Sequence, residues 1–417
     1  MEHKNIIIFS SYPQMGTTHD KKIVGVASYT KNLLLHIKKI VPDVNLRVFA
    51  EMWGRPESYL EKGIRVERVW RRRDPIRLFL AFADMFRNPI DTVWISYEIG
   101  MVGGYFSNIL FLIMMAILRL RKKEMVIILH QVVANFDSKL MNSVKNMLYQ
   151  YLLAIASRIV VFEERFKMEL YNDDKVLVIP HAVEPAKKRD PVKARAQVKL
   201  DPTAFYLLYF GFISPYKGVD ALLDIYNADS PEKLIIAGGK NPNLTFFSNS
   251  RSYSSYIRQV TVKAKKKEAI ATGFVEEDDI PAYFTAADAV VLPYKMFFSS
   301  SGPLSLAFSY EKPVLLSPAL AGYFETADFR KALVQSNLTV EDFLFDFTSE
   351  SFAAAVARLH EKRDQFVKFS RLMREARSWP VIANHYVNLL VKQTSLPVLT
   401  ATPLSPRRFR FGIRARS

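Results

Sequence analysis

A chain of 417 residues is long for one core, so two domains are expected. Its 49% apolar and 24% charged content is that of a folded globular protein, and the lack of cysteine excludes disulfides, thiolate metal sites and cysteine nucleophiles. The formal charge of +17, from 58 Lys and Arg against 41 Asp and Glu, calls for an anionic partner: nucleic acid, an anionic membrane or a phosphate-bearing substrate.

The chain passes from polar residues straight into the strand-like NIIIFS (5–10), without the charged leader and long apolar core of a secretory signal, so a cytoplasmic setting is expected. Further Val/Ile/Leu-rich runs at 44–50, 64–70, 91–98, 125–130, 158–162 and 175–180 alternate with helix-length segments. That alternation is the pattern of buried parallel strands joined by crossover helices. The longest apolar run, FSNILFLIMMAIL (106–118), has 13 residues and is too short to span a bilayer. It reads first as a buried helix and second as a membrane-dipping one, with RLRKK behind it to suit anionic headgroups.

Residues 184–204 carry many charges, three prolines and little apolar periodicity, and read as a linker. A second strand series follows at 205–212, 233–239, 269–275, 289–294 and 313–317. The expected architecture is α/β: two Rossmann-like, doubly wound parallel-sheet domains, 1–183 and 205–375, facing a cleft. The segment ARSWPVIANHYVNLLVKQ (376–393) restarts a helix at Pro380, with Val381, Ile382, Tyr386, Leu389 and Leu390 on one apolar face. The end, SPRRFRFGIRARS, holds five Arg and no acid, so 396–417 reads as a basic, disordered tail.

The stretch GFISPYKG (211–218) runs from a strand into a turn and a helix, with Lys217 alone at the turn. Standing alone, Pro215 and Gly218 are turn punctuation and Lys217 is solvated. However, strand-to-helix turns at the carboxyl edge of a parallel sheet are where α/β proteins bind ligands, and helix amino ends favour anions. The likewise suggestive SSSG (299–302) is by itself an ordinary helix cap.

Taken in order, Gly211, Pro215, Lys217 and Gly218, then Gly273, Phe274 and Val275, then Ala287 and Asp288, Pro293 and Tyr294, and Gly302 with Lys312, Pro313 and Val314 resemble the nucleotide-sugar half of the large retaining, group 1 (family four) glycosyltransferases of the GT-B fold. In the first half, GVASYTKNLLLHI from Gly25, ISYEIGMVGG (95–104) and IILHQV (127–132) resemble that family's acceptor domain. The resemblance implies transfer of a sugar from a GDP- or UDP-linked donor to a glycan or lipid-linked acceptor in cell-surface polysaccharide or glycoconjugate synthesis. It also implies that 376–395 crosses back onto the first domain, and that the cytoplasmic protein sits peripherally on an anionic membrane surface.

On the same resemblance, Gly211, Lys217, Gly273, Phe274, Val275, Ser299, Ser300, Ser301, Gly302 and Leu304 hold the nucleotide, Lys217 pairs with the diphosphate, and Gly25, Glu98 and His130 serve the acceptor side, with His130 and Lys217 as catalytic candidates. By residue type alone, a strand-terminal His130 is more often a structural hydrogen-bonder. Lys217 is expected at a mouth open to water that closes over the donor. Neither a metal cluster nor a cofactor is implied. Three charges of the family pattern are missing: its paired Glu fall near Ser299 and Ala307, and its Arg falls on Phe212. A non-catalytic relative that binds a nucleotide sugar or an assembly partner is therefore the alternative. A nucleic-acid binder would account for the charge, but no recognisable module supports specific nucleic-acid binding.

Overall fold

The computed structural model describes residues 4–16, 25–87, 89–98, 100–132, 138–187, 189–240, 250–297 and 301–391. The tail 396–417, Ser299 and Ser300 lie outside them.

All the strands expected from the sequence form, in two sheets. The first holds β1 (Asn5–Ser10), β2 (Asn45–Glu51), β3 (Glu57–Glu61), β4 (Ile64–Trp70), β5 (Thr92–Tyr97), β6 (Glu124–Leu129), β7 (Arg158–Val161) and β8 (Val176–Val178), in the order β3-β4-β2-β1-β5-β6-β7-β8. Strand β5 shows why: every residue of TVWISY is buried, as in a strand covered on both faces. The antiparallel edge strand β3 was not expected. It pairs with β4 through the two-residue turn Lys62-Gly63, where φ is 49° and 80°, and that Lys-Gly step was its sequence signal.

The second sheet holds β9 (Phe205–Phe210), β10 (Glu232–Ala237), β11 (Ile270–Gly273), β12 (Ala289–Leu292) and β13 (Val314–Leu316), all parallel, in the order β11-β10-β9-β12-β13. Strand order reverses between β9 and β12, which makes their carboxyl ends the switch point where such sheets bind ligands.

One face of the first sheet is covered by helices α1 (Gly25–Ile40) and Trp379–Val391, the other by α2 (Pro75–Arg87), α3 (Tyr105–Leu120) and α4 (Lys139–Ile155). The helix Trp379–Val391 thus returns the chain to the first domain: Trp379, Ile382, Ala383 and Tyr386 join that core, and the Tyr386 hydroxyl lies 3.0 Å from that of Tyr29. Val381, expected on the buried face, is exposed, and Ala383 takes its place; Leu390's side chain lies outside the described residues.

The segment read as a linker contains the helix Pro191–Gln197, capped by Asp190. Ala194 enters the second core and Arg195 donates to Asp288 at 2.8 Å. A seven-residue helix with Ala194 as its one buried residue, held otherwise by polar contacts of Arg195 and Gln197, gives no periodicity to read. The two passages between domains are bonded together, Val183 N–H donating to the Arg377 carbonyl at 2.7 Å.

Candidate functional site

Beyond β9 the chain makes a short 3-10 turn, Pro215–Lys217, then enters the helix Val219–Ile225 through Gly218. Gly218 has φ of 68°, and a Cβ there would lie 1.8 Å from the Pro293 carbonyl oxygen, so glycine is required for the turn to close against the end of β12. The closure brings Lys217 to Tyr294: Nζ donates to the hydroxyl at 2.6 Å and sits 4.2 Å from the ring centroid. The Tyr294 hydroxyl is 3.1 Å from Ser301 Oγ, which also accepts from the Leu304 N–H at 3.3 Å and caps the helix Gly302–Ser309. One hydrogen-bonded chain therefore joins both strand ends of the switch point to a helix amino end.

Lys217 lies on a cavity of about 510 Å³, within the usual range for small-ligand sites. Gly211, Phe212, Phe274, Val275, Gly302, Leu306 and Tyr310 line it, and its charged groups are Lys187, Lys217, Glu184 and Glu277. At Gly211, φ of 126° leaves the backbone bare between Pro303 and Lys217; a Cβ would stand 3.9 Å from Nζ. Phe212 and Phe274 face each other with centroids 6.2 Å apart and planes 22° from parallel. Their faces and edges offer an apolar surface suited to a flat ring.

Several expectations need correction. Lys217 is not freely open to water: burial holds its ammonium below the ordinary lysine range, and the Tyr294 hydroxyl accepts a hydrogen bond that solvent would otherwise have taken. Leu304 is buried in the second core, and its N–H is taken by Ser301, so neither group faces the cavity. Gly273 ends β11 behind Phe274 and is not among the lining residues. Ala307, aligned with the family's second Glu, is also in the core, while Leu306 and Ser309 of the same helix meet the cavity. The Ala287-Asp288 and Lys312 motifs are braces: Asp288 binds Arg195 and Arg363, and Lys312, pushed down to about 8 by burial, donates to the carbonyls of Thr285 and Ala287.

The acceptor-side candidates do not line this cavity. Glu98 follows β5, where burial raises its carboxyl against the opposing influence of Arg72. Gly25 is the first residue of α1, and residues 17–24 before it lie outside the described residues. His130 is 9% exposed, donates its backbone N–H to the Tyr97 carbonyl at 3.0 Å, and packs edge-on against Tyr29 and Phe162 at 5.3 Å each. Burial and the nearby His181 push it down to about 3, so the imidazole is neutral at ordinary pH. His181 itself is pushed down to about 4 and donates from Nδ1 to the Ala182 carbonyl at 2.9 Å.

Two residues were missed by sequence reasoning. Tyr294 was read as a motif residue without a role, and its position at the end of β12 was the available signal. Glu184, in the passage between domains, lines the cavity and accepts from Asn32 of α1 at 2.7 Å, tying the first domain to the cavity wall.

Residues 192–375 match the family model described as glycosyl transferases group 1. That match covers the second domain. A GDP-mannose:glycolipid 4-beta-D-mannosyltransferase of Xanthomonas campestris pv. campestris is 34% identical over 112 residues, 26% of this chain and 29% of the relative, so the match spans under a third of the relative's length. The whole fold is similar to a sucrose-phosphate synthase from Thermosynechococcus elongatus, with a TM-score of 0.65 and 15% identity over 93% of this chain and 98% of that one. It is also similar to Anabaena HepE in complex with UDP and glucose, with a TM-score of 0.61 and 14% identity over 93% and 99% of the two chains. The architecture is GT-B, and the Lys217–Tyr294–Ser301 chain stands at the switch point of its second sheet.

Proposed function

We propose that the protein transfers a sugar from a GDP- or UDP-linked donor to a glycan or lipid-linked acceptor, as a peripheral enzyme on the inner face of the cell membrane that serves cell-surface polysaccharide or glycoconjugate synthesis. The observation that carries the donor half is the Lys217–Tyr294–Ser301 hydrogen-bonded chain beside the helix amino end. A diphosphate at this point neutralises the desolvated Lys217 and meets the positive end of the helix Gly302–Ser309. The departing diphosphate is stabilised by the same groups, so the chemistry is orientation and electrostatic stabilisation in a closing cleft.

Retention at the anomeric carbon and independence from metal complete the reading. The Xanthomonas relative, named for a 4-beta linkage made from the α-linked donor GDP-mannose, points the other way, to inversion, and the anomeric coupling of the product decides between the two. Turnover in chelator tests the metal. A non-catalytic binder is the second reading, favoured by Phe212, where the family resemblance implies Arg, and by Leu306 facing the cavity. Release of nucleoside diphosphate from GDP- and UDP-sugars in the presence of lipid-linked glycan acceptors separates the two: turnover supports the enzyme, and tight binding without release supports the binder.

A further inference from the structure

Helices α2, α3 and α4 pack side by side, each burying one face in the first core. Each also turns a second apolar stripe outward. On α3, Phe106 is 82% exposed, and Ile109, Ile113 and Leu120 continue its line along the helix, while Phe111, Met115 and Leu118 fill the core. Exposed Ile76, Phe79 and Leu80 lie on α2. Leu140, Val144 and Met147 lie on α4, Leu140 with 73% of its surface free. Monomeric soluble proteins rarely expose contiguous apolar faces of this kind.

Charge on this face is predominantly positive. The three helices carry a single acid, Asp84, which lies 3.6 Å from Arg47, while Asp74 accepts from the Arg77 N–H at the start of α2 and Arg72 is tied to Glu51 at 3.1 Å. Arg71, Arg72 and Arg73 lead into α2, with Arg77 in its first turns, and Arg119, Arg121 and Lys122 close α3. Arg73 packs against Gly103, so the basic lead of α2 lies beside the start of α3.

We propose that the outward face of α2, α3 and α4 is a docking surface for an anionic lipid bilayer, its apolar stripes entering the headgroup layer and its basic residues pairing with phosphates. The amino ends of α3 and α4 follow the carboxyl ends of β5 and β6. That sheet edge faces the second domain, as the contact between Glu163 beyond β7 and Thr326 shows at 2.8 Å. Docking on this face therefore holds the cleft mouth at headgroup level. Delivery of a lipid-linked acceptor rests on the proposed function, whereas bilayer binding does not.

Because the natural sequence has no cysteine, the full chain can be labelled at one introduced thiol. Ile109→Cys and, as a control on the second domain, the exposed Val334→Cys each carry an environment-sensitive fluorophore and are titrated with phosphatidylcholine vesicles with or without phosphatidylglycerol. The expected result is a blue shift at 109 only, only with the anionic vesicles, weakened by salt, with Phe106→Glu and Arg119→Glu each cutting binding about tenfold while nucleotide binding is unchanged. No shift at 109, equal shifts at both positions, or equal response to neutral vesicles overturns the proposal. So does concentration-dependent self-association abolished by Phe106→Glu in a protein that ignores vesicles, which assigns the face to a second copy. Loss of sugar transfer with vesicle binding intact would refute the proposed function alone.

Discussion

Lys217 Nζ and the Tyr294 hydroxyl lie 2.6 Å apart across the point where strand order reverses, so the cation and its partner come from opposite halves of the second sheet. Tyr294 is fully buried, and burial raises its phenol well above the ordinary range, so it remains a neutral hydroxyl that can accept from Lys217 and donate to Ser301. Tyr294→Phe keeps the ring beneath the ammonium and removes only this relay. We expect a folded protein that binds nucleoside diphosphate more weakly by about 0.5–1.5 kcal/mol, read by calorimetry.

The depressed ammonium gives binding a pH signature. In the free protein Lys217 loses its proton at lower pH than an ordinary lysine, because burial disfavours the charged form. A bound diphosphate favours the charged form and raises that value. Affinity for GDP or UDP should therefore fall as pH rises through the depressed value, with proton uptake on binding there. Titrations in buffers of different ionisation enthalpy measure the uptake, and Lys217→Ala should abolish it.

Between the domains, Arg377 donates to Asp328 at 2.6 Å and to Glu163 at 3.1 Å, while Thr326 donates to Glu163 at 2.8 Å. One guanidinium faces two carboxylates, and the closer Asp328 takes most of its charge; burial pushes Glu163 up to about 7. A carboxyl whose folded value is raised contributes stability that is full below its unfolded value near 4.5 and declines as pH rises towards 7. Relative to Glu163→Gln, the native chain should lose up to about 3 kcal/mol over that window, followed by denaturant unfolding. Arg377→Met, which strands both acids, should cost about 3–5 kcal/mol.

The return helix holds the first domain through Trp379, which packs on Tyr29 with centroids 5.3 Å apart, and through Tyr386, which packs on Trp94 at the same spacing. Trp379→Ala should cost about 3–5 kcal/mol, and a chain ended before 376 should be unstable or open. Scattering on the intact protein should show compaction with the correct nucleotide sugar.

Much of the fold was legible because buried parallel strands are continuous apolar runs, and the ordered turn motifs placed Lys217 at a strand end. Side-chain destinations were less legible. Leu304 and Ala307 sit on the same short helix as Gly302 and Leu306, and only the packing of that helix decides which face the core. His130 lies just past its strand, yet its ring neighbours come from elsewhere, Tyr29 from α1 and Phe162 from beyond β7, with His181 of the passage between domains also acting on it. Glu184 gave no pattern because it belongs to an irregular segment and acts through Asn32, 152 positions away. Those partners meet only in the assembled structure.

A nucleoside diphosphate is expected to bind at Lys217 on the cavity of the second domain. Calorimetric titration of GDP and UDP into the native chain and into Lys217→Ala tests it most directly. The expected result is saturable binding of one of the two, weakened about tenfold or more in the variant, as befits loss of a charge-assisted contact of about 1.5–3 kcal/mol. Equal affinity in both proteins, or no binding of either nucleotide to the native chain, would contradict it.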